Sequence, residues 1–323
     1  MKKIKVAVIY HKENIFLSGK HFDNTYYHFY VTALKRNETL DVTYFPTDDI
    51  FDTSILKNKF DIILLWENSE FGMPKQLLGV QDLDIPVISK VGDPFRASKS
   101  IKLHKNWKID HYFHFLHEDF FHELYPSDFR YKTIIFGLEP SLYQNLKPFD
   151  QRIKNKILLT GAIGNSKFVS RIINDIRRPK WNAYRFYYLR TLCSKLPEIS
   201  YHKISNHNFV NDMYPKLLEQ YSASIVASSY NPNIKYLENT AAGCLTFMEI
   251  TKKNRGEHFG FIDNETAIFI NQNNYKEKFD EFLSNPNDSK WGKIAKAGHD
   301  FCLKNLNNDN AVKSLVELMS NFI

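Results

Sequence analysis

Short apolar runs alternate with longer polar stretches along the chain. KVAVIY (5–10), LDVTYF (40–45), FDIILLW (60–66) and IPVISKVGD (85–93) each read as a strand. IDHYFHF (109–115) and YKTIIFG (131–137) follow at helix-length intervals, with a helical pattern through FYVTALKR and a Lys-rich stretch before residue 109. Near-continuous apolar strands separated by helices predict a parallel sheet covered on both faces. Between 138 and 155 the pattern lapses into LEPSLYQNLKPFDQRIKNK, with two prolines and no period, which marks a linker.

A second alternation begins at KILLTGAIGN (156–165). Helices are expected over 168–176, 184–196 and 208–221. ISYHKI, ASIVASS (223–229) and CLTFME (244–249) are the strands, and the chain ends in helices broken by Asn, Pro and Asp turns. The expected fold is therefore α/β: two Rossmann-like, doubly wound parallel-sheet domains facing a cleft. Their boundaries fall at 1–145 and 146–323, and the final helix has the option of packing back on the first domain.

The 323 residues are 43% hydrophobic and 15% aromatic, material for two packed interiors rather than a disordered chain. No apolar run approaches the about 20 residues that span a bilayer, and MKKIKVAVIY enters a strand with no signal-peptide pattern behind it. The expected compartment is the cytoplasm, with association at the cytoplasmic membrane face left open. Cys193, Cys244 and Cys302 are widely spaced and read as buried free thiols. A net charge of +7 favours an anionic partner without choosing among nucleotide, phospholipid and nucleic acid.

Open parallel sheets bind ligands beyond the carboxyl ends of their strands, so the residues that follow each strand matter most. Gly161 and Gly164 lie in GAIGN, either as an anion-binding turn or as a plain strand-to-helix connection. After ASIVASS, YNPNIKYLENTAAG places Pro232 where a helix first turn is expected, with unsatisfied N–H groups near 232–235. Lys235 adds a cation that suits a diphosphate. Glu238, one turn on, suits a ribose, and the pair reads equally as a surface ion pair. Arg171 is either a second phosphate cation or an exposed helix arginine.

On the first half, Asp93 in KVGDPF is either a general base toward an acceptor hydroxyl or a turn cap, and His11, after the first strand, could orient or deprotonate a hydroxyl. His111, His114, His117 and His122 are interleaved with Tyr and Phe and read as a strand running into a polar helix rather than as a metal site. DLD (82–84) fits Asp-x-Asp formally but stands at a strand entrance.

KYLENTAAGCLTFME (235–249), GFIDNETAIFI (260–270) and KIAKAGHDFCLKNL (293–306), in that order and with FGLEPSLYQ (136–144) before them, resemble the glycosyl transferases group 1 superfamily of GT-B fold, and especially its spore-maturation-protein-like branch. The resemblance covers the C-terminal 170 residues or so and reaches the first half only through architecture. It implies a hexosyltransferase-type enzyme that takes a nucleoside-diphosphate sugar as donor substrate, needs no cofactor or metal, and acts in surface glycan or glycoconjugate synthesis. Glu238 matches the acid that grips the nucleotide ribose, and Lys235 falls in the phosphate-contacting turn. Ser229, Tyr230, Asn233 and Tyr236 complete the implied donor set with Gly161, Gly164 and Arg171. Better-known retaining members carry an acid where this chain has Tyr230, so the sugar-contacting carboxylate and the retained stereochemistry do not carry over. The implied acceptor is a glycan, a lipid-linked species or a protein, with peripheral membrane contact in view. A nucleic-acid acceptor, reached through KSIKLHKNWK (99–108) and RRPK (177–180), is the less favoured alternative, beside a non-catalytic nucleotide-sugar-binding protein.

Overall fold

The computed structural model describes residues 2–17, 25–165, 167–177, 183–203 and 213–323. RRPK falls largely outside them, as does the start of the helix expected over 208–221. The chain divides into two compact units, 1–137 with 308–323, and 138–307. The division falls at Gly137, earlier than the expected boundary at 145, and the helix Asn308–Ser320 is counted with the first unit.

In the first unit the strands are β1 (Ile4–His11), β2 (Leu40–Thr47), β3 (Ile50–Asp52), β4 (Ile62–Leu65), β5 (Gln76–Leu78), β6 (Val87–Lys90), β7 (His111–His114) and β8 (Tyr131–Thr133). Six of the described strands form a parallel sheet in the order β2-β1-β4-β6-β7-β8, while β3 and β5 pair separately. Val6–Ile9 and Ile62–Leu65 are wholly buried, which is why the central strands read as unbroken apolar runs. At the edge, β2 is only partly buried and tolerates Pro46, since an edge strand has one side free of ladder bonds. The short β3 and β5 have no readable pattern. YKTIIFG holds its strand for only three residues, and Ile134 then donates its N–H to the His114 carbonyl (2.8 Å).

The closing helix is tied into this unit at its N-terminus and midway along it. Asn308 Oδ1 accepts the Gly137 N–H (2.7 Å), Asp309 pairs with Arg36 (2.7 Å), and Lys132 Nζ reaches the Ser314 carbonyl (3.1 Å).

The second unit contains β9 (Ile157–Thr160), β10 (Ile199–His202), β11 (Ala223–Val226), β12 (Leu245–Glu249) and β13 (Ile268–Ile270), all parallel in the order β10-β9-β11-β12-β13. One face is filled by Leu189, Cys193, Tyr275, Phe279, Phe282 and Trp291, packed on Ile157, Ile225 and Phe247. On the helix Ser289–Asn305, Gly298 is required by close approach: a Cβ there would stand 2.3 Å from the Thr266 carbonyl oxygen and 2.7 Å from Thr240. That proximity gives a physical reason for the glycine in KIAKAG. The three cysteines are all buried and free.

Candidate functional site

The strand order in the second unit reverses between β9 and β11, the place where doubly wound sheets open a crevice. Gly161 leaves β9 with φ +95°, and a Cβ there would lie 3.3 Å from Arg190 Nη1 and 3.5 Å from Lys235 Cε. Two cations therefore converge on a turn that has no side chain. Arg190, from the helix Tyr188–Cys193, is 4% exposed and bridges the strand ends, donating to the carbonyls of Ala162 (3.0 Å) and Ala227 (2.7 Å). Lys235 Nζ donates to Tyr214 Oη (3.0 Å) and sits 4.1 Å above that ring. Tyr214 Oη is also 2.9 Å from Thr160 Oγ1. Burial raises the Tyr214 pKa despite the adjacent Lys235, and Glu238 adds to the rise. Glu238 itself is 2% exposed, one turn beyond Lys235.

The helix carrying these residues runs from Lys235 to Ala241, so Pro232 lies ahead of it rather than in its first turn. Its opening N–H groups are already engaged: Lys235 N–H is held by Asn233 Oδ1 (3.0 Å), Tyr236 N–H by the Asn233 carbonyl, and Leu237 and Glu238 by Ile234. The expectation of open donors at 232–235 is thus corrected at Lys235, whose N–H is taken up by the Asn233 side chain in an Asx turn. Two further expectations change. Gly164 N–H is donated to Thr191 Oγ1 (2.8 Å), and a Cβ at Gly164 would lie 2.3 Å from Tyr184 Cα, so this glycine serves packing. Tyr236 is fully buried and donates its hydroxyl to the Glu249 carbonyl (2.9 Å), so it belongs to the core.

Beyond the carboxyl ends of β11, β12 and β13 lies a cavity of about 590 Å³. Ser229 and Tyr230 line it just beyond β11, Glu249 at the end of β12 with Lys253 past it, and Arg171, Tyr184 and Arg185 from the helices after β9. Tyr230 stacks on Phe186 (5.6 Å between centroids) and carries Lys253 Nζ 4.0 Å above its ring. Arg171 is half-buried over Tyr184 (4.2 Å), neither fully exposed nor beside Lys235's turn. Arg185 pairs with Asp175 (3.0 Å). Glu249, which the sequence pattern does not single out, is 3% exposed with its Oε1 3.4 Å from Ser229 Oγ. Burial raises its pKa to about 7, against the opposing pull of the Ser229 hydroxyl, Arg190, Lys253 and the Ser228 backbone. Its only sequence signal is an acid closing the apolar run LTFME.

In the first unit, His11 ends β1, with Nε2 3.7 Å from Asp49 and Nδ1 accepting the Glu13 N–H (3.2 Å). Asp93 precedes the turn Pro94–Arg96, and its side chain makes no capping bond there. Sequence reasoning also misses the buried pair at the ends of β4 and β6, Lys90 Nζ to Glu67 Oε2 at 2.7 Å, with Ser69 Oγ bonded to the other carboxylate oxygen. Of the four histidines considered together, His111 and His114 lie in β7 and His117 caps the helix Glu118–His122 through Asp119 N–H (3.2 Å). Burial lowers the pKa of His111 to about 4 and holds that of His114 well below its ordinary value. Among the described residues no group of three or more His, Cys, Asp or Glu is placed to hold a metal ion.

No family model matches the chain, and no curated protein matches it. Solved structures do. HepE of Anabaena in complex with UDP and glucose matches at TM-score 0.56 and 10% identity, over 98% of this chain and 100% of that one. A glycosyltransferase from Rickettsia africae ESF-5 matches at 0.53 and 13%, over 100% and 99%. An α-glucosyltransferase in complex with UDP-glucose and DNA containing an abasic site matches at 0.59 and 9%, over 98% and 99%. Identities this low speak to fold, and the fold is α/β of the GT-B type, with two Rossmann-like units.

Proposed function

We propose that the chain is a glycosyltransferase of the spore-maturation-protein-like kind, moving a hexose from a nucleoside diphosphate to an acceptor hydroxyl. The observation that carries this reading is the convergence of Arg190 and Lys235 on Gly161 at the sheet's switch point, with Glu238 one turn away. Cations beside a bare turn suit a diphosphate, whose charge grows as the glycosidic bond breaks; groups already aimed at it favour the transition state over the ground state. Glu238 supplies a carboxylate for the ribose hydroxyls. On the first unit, Asp93 and His11 are the proposed acceptor-side bases, since His11 ends β1 and Asp93 follows β6, both at strand carboxyl ends. The reading assigns no resident metal or cofactor. It is tested by release of nucleoside diphosphate from a panel of nucleotide sugars, alone and with glycan, lipid-linked, protein and duplex DNA acceptors. Turnover of one donor is expected; a folded protein that turns over none refutes the transferase and leaves a binding protein.

The helix Phe168–Arg177 bears on the acceptor. Phe168, Val169, Ile172, Ile173 and Ile176 are 43–76% exposed, while Arg171 and Asp175 line the cavity. An outward apolar face on a chain of charge +7, followed in sequence by RRPK, suits the surface of an anionic membrane. No described helix is long and apolar enough to cross a membrane. Wild type is expected to sediment with phosphatidylglycerol vesicles, and Phe168→Asp with Ile176→Asp to stay in the supernatant. Equal sedimentation of both proteins would remove this helix as the membrane-facing element.

A further inference from the structure

The cavity beyond β11–β13 has a chemistry of its own. Arg171 lies over Tyr184, Lys253 over Tyr230 and Arg185 against Asp175. At the cavity wall stands a carboxyl group that is 3% exposed, with Oε1 on Ser229 and Oε2 without a hydrogen-bond partner among the described residues. A buried carboxylate oxygen with no donor is costly, and it disfavours an anionic occupant. What it lacks is a donor, and a neutral polyol brings several. Tyr230, half-buried and stacked on Phe186, presents an aromatic ring shared with Lys253 Nζ at 4.0 Å, against which the C–H side of a pyranose can rest. A cavity of about 590 Å³ holds a hexose with room beside it.

We infer that this cavity binds the sugar moiety and that Glu249, with Ser229, is the specificity-determining group, accepting hydroxyl protons from a neutral pyranose laid against Tyr230. The assignment deepens the proposed function and rests on it, with Ser229, Tyr230 and Glu249 lining one cavity. Burial raises the pKa of Glu249 against the pull of the Ser229 hydroxyl, the nearby cations and the Ser228 backbone; hydroxyls supplied by a ligand add to the donors that favour its ionised form. The order of preference follows from geometry. Sugars with adjacent hydroxyls free to meet both oxygens bind, and analogues deoxygenated at those positions do not.

The test uses the full chain and free sugars, so that it does not depend on a nucleotide. Saturation-transfer NMR is recorded with methyl glucoside, methyl galactoside and methyl N-acetylglucosaminide on wild type, Glu249→Gln, Glu249→Ala and Tyr230→Ala, each checked for a native unfolding transition. UDP, GDP and ADP binding is followed in parallel by calorimetry and reports on the Arg190–Lys235 group. At least one glycoside is expected to bind wild type, with affinity weakened about tenfold or more in Glu249→Ala and in Tyr230→Ala and partly restored in Glu249→Gln. No glycoside binding by wild type, or binding that survives Glu249→Ala, overturns the inference even if nucleotides bind. Glycoside binding that disappears in Glu249→Ala while no nucleotide binds to wild type would keep the inference and refute the donor reading.

Discussion

Lys90→Met is expected to destabilise the first unit by about 3–5 kcal/mol, the usual effect of removing one partner of a buried ion pair. Lys90 and Glu67 have only 3% and 9% of their side chains exposed and meet at 2.7 Å. Lys90 also sits 4.7 Å from the Tyr26 ring and 4.6 Å from the Trp66 ring, where methionine retains only dispersion. With the ammonium gone, Glu67 retains Ser69 Oγ as a donor and is otherwise a buried carboxylate among aromatic rings. The double variant Lys90→Met with Glu67→Gln removes the stranded charge. It should recover most of the stability, because the pair's own net contribution is small once its desolvation is counted. Urea unfolding of the wild type, the two single variants and the double variant measures the coupling. A single-variant effect below about 1 kcal/mol would show that water reaches this pair.

Much of the architecture is legible in the sequence because parallel strands buried on both faces must be apolar throughout. Ile62–Leu65, Val87–Ile88 and Leu245–Met248 are such strands, and the apolar pattern places each within a few residues. The same pattern starts the helix too early, at Pro232, because local propensity favours proline in a first turn, whereas the helix begins at Lys235. Single polar residues at strand ends are the least legible. Lys90 in ISK, Glu67 after LLW and Glu249 after LTFM differ from ordinary strand termini only in burial, which no spacing reveals. Arg190 is invisible for the same reason, since nothing in YLRTLC indicates that its guanidinium reaches the ends of two strands. Gly161 and Gly164 show the converse: identical residues three apart, one leaving room for two cations and the other seated on the Tyr184 backbone.

The second large effect concerns Glu238. A carboxylate that accepts two ribose hydroxyls makes charge-assisted bonds, each on the order of 1.5–3 kcal/mol, so Glu238→Ala should weaken nucleotide binding by about 100-fold or more. The side chain is 2% exposed beside Tyr214, and alanine leaves the apolar side of the Lys235–Ala241 helix untouched. The variant should therefore remain folded, and a matching thermal transition without ligand confirms that. At about 100 times its dissociation constant a ligand stabilises the folded state by about 2.7 kcal/mol, enough to separate binder from non-binder in a melting curve.

The most direct measurement is isothermal calorimetry of UDP, GDP, ADP, CMP and TDP against wild type and Glu238→Ala, with both proteins' unfolding transitions recorded. The account predicts that wild type binds one of these nucleotides in preference to the rest and that Glu238→Ala does not bind it. Folded wild type that binds none of them, or a variant that binds as wild type does, would contradict the claim that the switch point of the second unit holds a nucleotide sugar.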